Sequence, residues 1–273
     1  MAVNHPPEAA LIVDRVSKTF PDRSGSVDAL NDVNLSVGFG EFFSIVGPSG
    51  CGKSTLLNII AGLEAEDAGS IDVGENGASS RDESRLGQVA YMPQKDLLLP
   101  WRTVRQNAAL GLELTGVKAS IAHERADTLL QQFGLARFAD AYPATLSGGM
   151  RQRTAFLRTV LTDRPVMLLD EPFGALDALT RRAMQEWLLD VWSEMQRTVL
   201  LITHDVDEAI FLSDRVAVMS QRPGTLIHTH PVDLPRPRTA EIVTEPAFME
   251  IKRDVLRDLQ SSMSLNEGLN ASQ

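Results

Sequence analysis

GPSGCGKST, residues 47–55, is the richest run of potential chemistry in the chain. The apolar run FFSIV precedes it and a stretch carrying Leu56, Leu57, Ile59 and Ile60 follows, so it reads as strand, glycine-rich loop and helix. Consecutive backbone N–H groups in such a loop make a nest for anions, and the positive end of the helix adds to it. Lys53 is placed to bridge the β- and γ-phosphates of a nucleoside triphosphate, and Ser54 to offer a hydroxyl to Mg²⁺. VMLLDEP, residues 166–172, is an apolar strand ending in two carboxylates. An unpaired buried charge is costly, so Asp170 and Glu171 together imply a cation or a reacting group. Asp170 suits the Mg²⁺ role, and Glu171 suits a general base or an orienter of attacking water. Each run has a plain alternative when taken alone: a glycine-rich turn, or a solvated acid pair at a strand end.

VLLITHD sets His204 at the end of another apolar strand. A histidine there is more often a core or cap residue, and only the company of the other motifs makes it a candidate γ-phosphate contact. Gln94, in AYMPQKD, is a candidate for Mg²⁺ or for the lytic water. Phe20, in VSKTF, either packs in the core or stacks on adenine, where an aromatic face is worth about 1–3 kcal/mol per base. LSGGMRQR, residues 146–153, places two glycines where a helix begins. Ser147 is a good N-cap, but Gly148 and Gly149 each cost about 1 kcal/mol relative to Ala in a helix. A structural cap needs neither. Glycines allow close backbone approach with free N–H groups, which suits an anion. Downstream, Phe156, Leu157, Val160 and Leu161 fall on one side of a helical wheel, with Arg151, Gln152, Arg158 and Thr159 largely on the other.

Short apolar runs at 11–13, 42–46, 89–92, 166–169, 199–202 and 216–219 are the strands that must position these residues. Helical patterns between several of them predict an α/β fold with a largely parallel sheet. The first 45 or so residues and the segment 69–92 read as strand-rich, whereas residues 103–141 read as helical. There Ile121, Ala122, Arg125, Leu129, Leu130 and Phe133 suit one helix, stopped by Gly134. VDLPRPR reads as an extended linker. A short final helix is expected from Thr244, with Pro246 in its first turn and Phe248, Ile251, Val255, Leu256 and Leu259 as its stripe. Residues 264–273 read as a frayed end. At 273 residues and a net charge of −10, the chain fits one large domain with subdomains and argues against nonspecific nucleic-acid binding. One cysteine excludes an intrachain disulfide, and Cys51 stands at a helix start, where thiol pKa values tend to fall. Residues 1–10 carry neither the basic nor the apolar region of a signal peptide.

With these motifs in this order, the chain resembles the ATP-binding subunit of an ABC transporter. The resemblance runs over residues 11–235, with a helical subdomain at about 97–147 inserted and residues 236–273 left as linker, helix and tail. It implies a P-loop NTPase core of ABC type with an antiparallel β subdomain and an inserted α-helical subdomain. Phe20 matches the adenine-stacking aromatic, and Gly47, Pro48, Ser49, Gly50, Cys51, Gly52, Lys53, Ser54 and Thr55 match the Walker A loop. Gln94 matches the Q-loop, Ser147, Gly148 and Gly149 the signature, Asp170 and Glu171 the Walker B pair, Asp177 the D-loop and His204 the switch histidine. LLLPW, PFGALDALTR, DEAIFLSDRV, RPGTL and DLPRPR resemble one importer subfamily, which takes up nitrate, sulfonate, taurine, bicarbonate or thiamine-precursor pyrimidines.

The resemblance implies ATP and Mg²⁺ as ligands, and an ATPase that powers import from the cytoplasmic face of the inner membrane. It implies a head-to-tail pair with an identical or related ATPase subunit, in which each ATP lies between the P-loop of one chain and residues 147–149 of the other. Permease subunits would dock at the helical insert near Gln94, and an extracytoplasmic solute-binding protein would act indirectly. Trp101 either lines the docking groove close to Gln94 or anchors the insert from within. The rival reading is a non-transport ABC ATPase acting on ribosomes or DNA. Single copies of each motif, no cysteine cluster and the acidic balance count against it.

Overall fold

The computed structural model describes residues 9–22, 25–74 and 85–270, with side chains as far as residue 262. The signal-peptide reading of residues 1–8 and the last three residues of the frayed end lie outside the described residues. The chain opens with two long strands, β1 (Ala9–Asp22) and β2 (Gly25–Gly38), then β3 (Phe42–Val46), α1 (Lys53–Ile60), β4 (Ala68–Val73) and β5 (Val89–Met92). The expected helical insert supplies α2 (Val104–Leu114) and α3 (Ala119–Gln132), and α4 (Gly148–Leu161) follows. The body closes with β6 (Val166–Asp170), α5 (Ala178–Met195), β7 (Thr198–Thr203), α6 (Val206–Leu212), β8 (Arg215–Met219) and β9 (Leu226–Pro231). A final helix, α7 (Pro246–Asn270), is longer than the short helix expected.

Six strands form one sheet in the order β5-β6-β7-β3-β8-β9, parallel except for the antiparallel edge strand β9. β2, β1 and β4 form a separate antiparallel sheet. Strands covered on both faces read as nearly continuous apolar runs, and every residue of β3, β6 and β7 is buried. Alternation then divides them between two cores. Phe42, Val46, Met167, Leu169, Val199 and Leu201 face the helical side, whereas Phe43, Ile45, Leu168 and Leu200 face α1 and the antiparallel sheet. No helix among the described residues is long and apolar enough to cross a membrane.

The parallel order has a direct consequence for chemistry. β5, β6, β7 and β3 all end on the same edge, and the next residues are those around Gln94, Glu171, His204 and the 47–55 loop. Positions more than 150 residues apart in sequence thereby become neighbours.

Three expectations about faces change. On α4, Gln152 and Thr159 are buried along with Phe156, Leu157 and Val160, so this helix is enclosed on more than its apolar side. On α3, Ala122, Ala126 and Leu130 are the buried residues, while Ile121 is 43% exposed. Small alanines there let α3 approach its neighbours closely. The VDLPRPR segment is extended, but it is fastened to the body. Arg238, only 4% exposed, donates through Nη1 to the carbonyls of Ile210 (2.9 Å), Phe211 (3.1 Å) and Ser213 (2.7 Å). Through Nη2 it reaches Val232 (3.2 Å) and Leu234 (3.4 Å). The C-terminal carbonyls of α6 thus find their donors in a residue some 25 positions downstream. Burial, reinforced by neighbouring Arg236, lowers the Arg238 guanidinium to about 10.

Arg238→Ala strips the buried carbonyls of their shared donor and is expected to destabilise the chain by about 3 kcal/mol. Arg236, which pairs with Asp214 at 2.7 Å in a half-exposed place, is expected to cost about 1 kcal/mol when changed to alanine. Urea unfolding compares them; equal losses would contradict the capping role of Arg238.

A candidate nucleotide site at the carboxyl edge of the parallel sheet

β3 delivers the chain into the 47–55 loop, whose glycines are required by their surroundings. A Cβ on Gly47 would lie 2.9 Å from the Met219 carbonyl oxygen. Gly52 has φ +111°, and a Cβ there would meet the Ala29 carbonyl oxygen and a Leu30 methyl at 2.7 Å. The loop is also braced from β8's side. Arg222 Nη2 donates to the Gly50 carbonyl at 2.8 Å, and Gly224 N donates to the Ala29 carbonyl at 2.9 Å. The RPGTL run therefore shapes the phosphate loop, a role its sequence did not suggest. An open cavity of about 450 Å³ lies there, lined by Pro48, Ser49, Gly50, Cys51, Gln221 and Arg222. Buried Lys53 donates to the carbonyls of Gly47 (2.8 Å) and Pro48 (2.9 Å). The Cys51 thiol is buried too, 3.6 Å from Lys53 Nζ, so only the backbone of Cys51 is placed to meet a phosphate.

At the end of β6, Asp170 is 2% exposed and stands beside the Ser54 hydroxyl. Burial pushes its carboxyl above the usual carboxylate range, and the charge of Glu171 adds to this, while Ser54 and Lys53 oppose it. A carboxylate and a hydroxyl meeting at the phosphate loop form a hard oxygen donor set, which fits Mg²⁺. Glu171 adopts φ +49°, a left-handed conformation uncommon for a residue with a side chain, and its N–H donates to the Ile202 carbonyl at 2.8 Å. That turn brings its carboxylate between two partners. Gln94 Nε2 donates to Oε2 at 3.2 Å, and His204 Nδ1 lies 3.2 Å from Oε1. His204 is 63% exposed, so it is no core histidine.

α4 controls this arrangement from behind, through residues that the sequence pattern hid. Gln152 Nε2 donates to the carbonyls of Glu171 (3.1 Å) and Pro172 (2.9 Å). Arg151 bonds the Asp96 carboxylate at 3.0 Å, while Arg158 donates to the carbonyls of Asp96 (2.8 Å) and Leu97 (2.9 Å), two and three residues beyond Gln94. The only signal available was the cluster of long polar side chains on α4, which on a wheel is indistinguishable from a solvated face.

The remaining candidates lie apart from that centre. Ser147 caps α4, accepting from Met150 N at 3.3 Å, and Asp177 caps α5, accepting from Thr180 N at 3.0 Å. Among the described residues, no hydrogen bond or ion pair joins residues 147–149 to the 47–55 loop. Phe20 is half-buried on β1 opposite Val27, in the same hairpin that brings Ala29 against Gly52. Lys18 Nζ sits 5.2 Å from its ring centroid.

A phosphate loop on a parallel sheet, with a carboxylate pair, a glutamine and a histidine at the adjoining strand ends, defines a P-loop nucleotide hydrolase of the cassette type. The ABC transporter family pattern matches residues 30–174. A putative ATP-binding protein of Brucella abortus is 48% identical over 233 residues, covering 85% of this chain and 88% of that protein. The aliphatic sulfonates import ATP-binding protein of Bacillus licheniformis is 42% identical, covering 92% and 95%. The nitrate import ATP-binding protein of Synechocystis is 41% identical, covering 90% and 93%. An ATP-binding cassette solved as a dimer in a post-hydrolysis state with ADP and Pi is similar with TM-score 0.75 and 30% identity, over 82% of this chain and 100% of that one. The chain belongs to the ABC transporter family, and its fold is that of an ABC ATPase.

The glycines of residues 146–153 differ in kind from those of the phosphate loop. Neither Gly148 nor Gly149 has positive φ. A Cβ on Gly148 would come no nearer than 3.9 Å to Arg151 Nη2, and one on Gly149 would meet the end of a Leu176 side chain at 3.4 Å. Nothing within one chain demands a glycine at 148. Gly148→Ala is therefore expected to keep stability or gain up to about 1 kcal/mol, whereas Gly52→Ala should lose about 3 kcal/mol. Thermal or urea unfolding reads both; a Gly148→Ala loss as large as that of Gly52→Ala would show that packing alone explains the glycine.

Proposed function

We propose that this chain is the ATP-binding and ATP-hydrolysing subunit of a bacterial ABC importer for a small solute such as nitrate, a sulfonate or taurine. The observation that carries the hydrolytic part is the Glu171 carboxylate, reached by Gln94 and His204 beside the phosphate loop. The solute class follows from the sulfonate and nitrate import proteins among the relatives.

Binding begins at the loop. Lys53 leaves the carbonyls of Gly47 and Pro48 for phosphate oxygens, and the N–H groups of residues 49–55 close around them. Phe20 offers an apolar face to the adenine. Ser54 and Asp170, with Gln94, hold Mg²⁺, which supplies charge neutralisation for the phosphates. Glu171 orients the attacking water and accepts its proton, and His204 contacts the γ-phosphate. Such chemistry needs mainly positioning, which the strand ends provide.

The second half of the site comes from a second subunit. Ser147, Gly148 and Asp177 are exposed, Gly149 is half-buried, and none of them bonds its own phosphate loop among the described residues, so the free N–H groups at the start of α4 are available across an interface. Glycine at 148 then has the reason that one chain alone does not give it. Closing of two subunits on ATP and reopening after hydrolysis would drive permease subunits between two states. Trp101 is 71% exposed, which excludes the internal-anchor reading. It stands with exposed Leu97 on the segment between Gln94 and α2, and we place the permease contact there, on the cytoplasmic face of the inner membrane. A solute-binding protein acts on the far side, through the permease.

Glu171→Gln is expected to bind ATP normally, to lose at least about 100-fold in hydrolysis, and to accumulate as an ATP-bound dimer in gel filtration. Turnover at the wild-type rate would overturn the role given to Glu171. Trp101→Glu should lower transport in reconstituted vesicles far more than ATPase activity of the isolated subunit. Equal losses in the two assays would argue against a docking role.

A further inference from the structure

Glu208 lies on α6, four residues beyond His204, and is buried without a cation of its own. Gln185 Nε2, from α5, donates to its Oε2 at 3.0 Å, and the Thr203 hydroxyl also meets the carboxyl group. Thr203 and Asp205 flank His204 and are stitched to the same network. Asp205 N donates to Thr203 Oγ1 at 3.0 Å, and Asp205 Oδ1 accepts from the N–H groups of Asp207 (2.9 Å) and Glu208 (3.1 Å). A small cavity of about 30 Å³, room for a single water, is walled by Glu208, Asp205, Arg181, His204 and Glu171.

We propose that Glu208 is a positioning residue for ATP hydrolysis, a buried acid whose hydrogen bonds hold the His204 loop in register with α5. The proposal rests on the roles given above to Glu171 and His204. Its basis is the charge surrounding the group. From α5, Arg181 is the nearest cation, but it is shared with the Asp205 carboxylate at 3.8 Å and the Leu176 carbonyl at 3.1 Å. Arg182 stacks over Phe211 and bonds Glu186. From α7, Lys252 is taken by Asp207 at 2.6 Å. From the strand ends come the carboxylate of Glu171 and the ring of His204. An ionised Glu208 would therefore add a third carboxylate beside Asp205 and Glu171, with no free cation facing it among the described residues. In the neutral form it keeps both hydrogen bonds and repels neither neighbour.

Burial, with the Asp205 charge adding to it, pushes the Glu208 carboxyl from 4.5 up to about 7, against the Thr203 and Gln185 hydrogen bonds and Arg181. The folded chain thus holds this proton more tightly than the unfolded chain does. The stabilisation is complete below about 4.5 and lost as pH rises through about 7. Loosening of the His204 loop should follow the same course.

The test uses the full-length protein, with ATPase kinetics measured from about pH 6 to about pH 8.5. Glu208→Gln preserves the neutral shape and is expected to keep kcat within about twofold, with the alkaline fall shallower than in wild type. Glu208→Ala leaves Gln185 without its acceptor and is expected to lower kcat about tenfold with little change in KM for ATP. Every other titratable group is common to the two proteins, so the difference between wild type and Glu208→Gln isolates the acid. Three results would overturn the proposal: a Glu208→Gln loss as deep as that of Glu208→Ala, an unchanged pH profile in Glu208→Gln, or wild-type kinetics in both variants. If Glu208→Ala does not fold, the Glu208→Gln profile decides alone. Glu171→Gln in parallel separates the premises: full hydrolysis there removes the catalytic reading itself, whereas failure at Glu208 alone removes only its positioning role.

Discussion

The Gln152 amide nitrogen donates to two successive carbonyls, those of Glu171 and Pro172, and its side chain is almost wholly buried while doing so. Glu171 holds a left-handed backbone conformation of the kind that persists only where the surroundings over-determine it. Gln152 on one side and the Ile202 carbonyl on the other supply that restraint. The direction of the Glu171 carboxylate, and hence its meeting with Gln94 and His204, depends on this constraint. Because Gln152 belongs to the helix that begins at Ser147, the free N–H groups at one end of α4 are mechanically tied to the carboxylate beside its middle.

Packing makes that tie stiff. Phe156 of α4 contacts Phe173, just after the carboxylate pair, at 5.8 Å between centroids, and Trp187 of α5 at 5.9 Å. Phe133, at the end of α3, meets Trp187 edge-on at 4.2 Å. Aromatic pairs of this kind add about 0.5–1.5 kcal/mol each beyond their buried area. Arg151 and Arg158 carry the same helix to the segment after Gln94. Through Gln152, Arg151 and Arg158, one helix thus braces both the backbone after β6 and the segment that leads to Trp101.

Polar residues on this route were the hardest to read from the sequence. Gln152 and Thr159 share a wheel face with Arg151 and Arg158, and a solvated surface would show the same pattern. Whether that face meets water depends on what stands opposite, and here it is the backbone of residues 171–172. Arg238 in a proline-rich stretch and Glu208 in a short helix posed the same difficulty, because a buried ionisable side chain is betrayed only by its partners. Ile121 departs from its hydropathy for the converse reason: alanines define the close-packed face of α3, and hydropathy alone ranks them below isoleucine.

What the sequence determined by itself was local and chemical. The glycine spacing of residues 47–55, the unbroken apolar runs and the carboxylates at the end of one of them follow from short-range sterics and from the cost of burying charge. They were sufficient for the α/β class, the phosphate loop and the identities of Asp170, Glu171 and Lys53. Only tertiary structure decided which distant residues meet. The parallel order β5-β6-β7-β3 sets Gln94, Glu171 and His204 side by side, and the backbone across from α4 turns a surface glutamine into a buried brace. Hydrogen bonds of about 3 Å between residues far apart in sequence leave no periodic trace along the chain, since each depends on the path of the backbone between them.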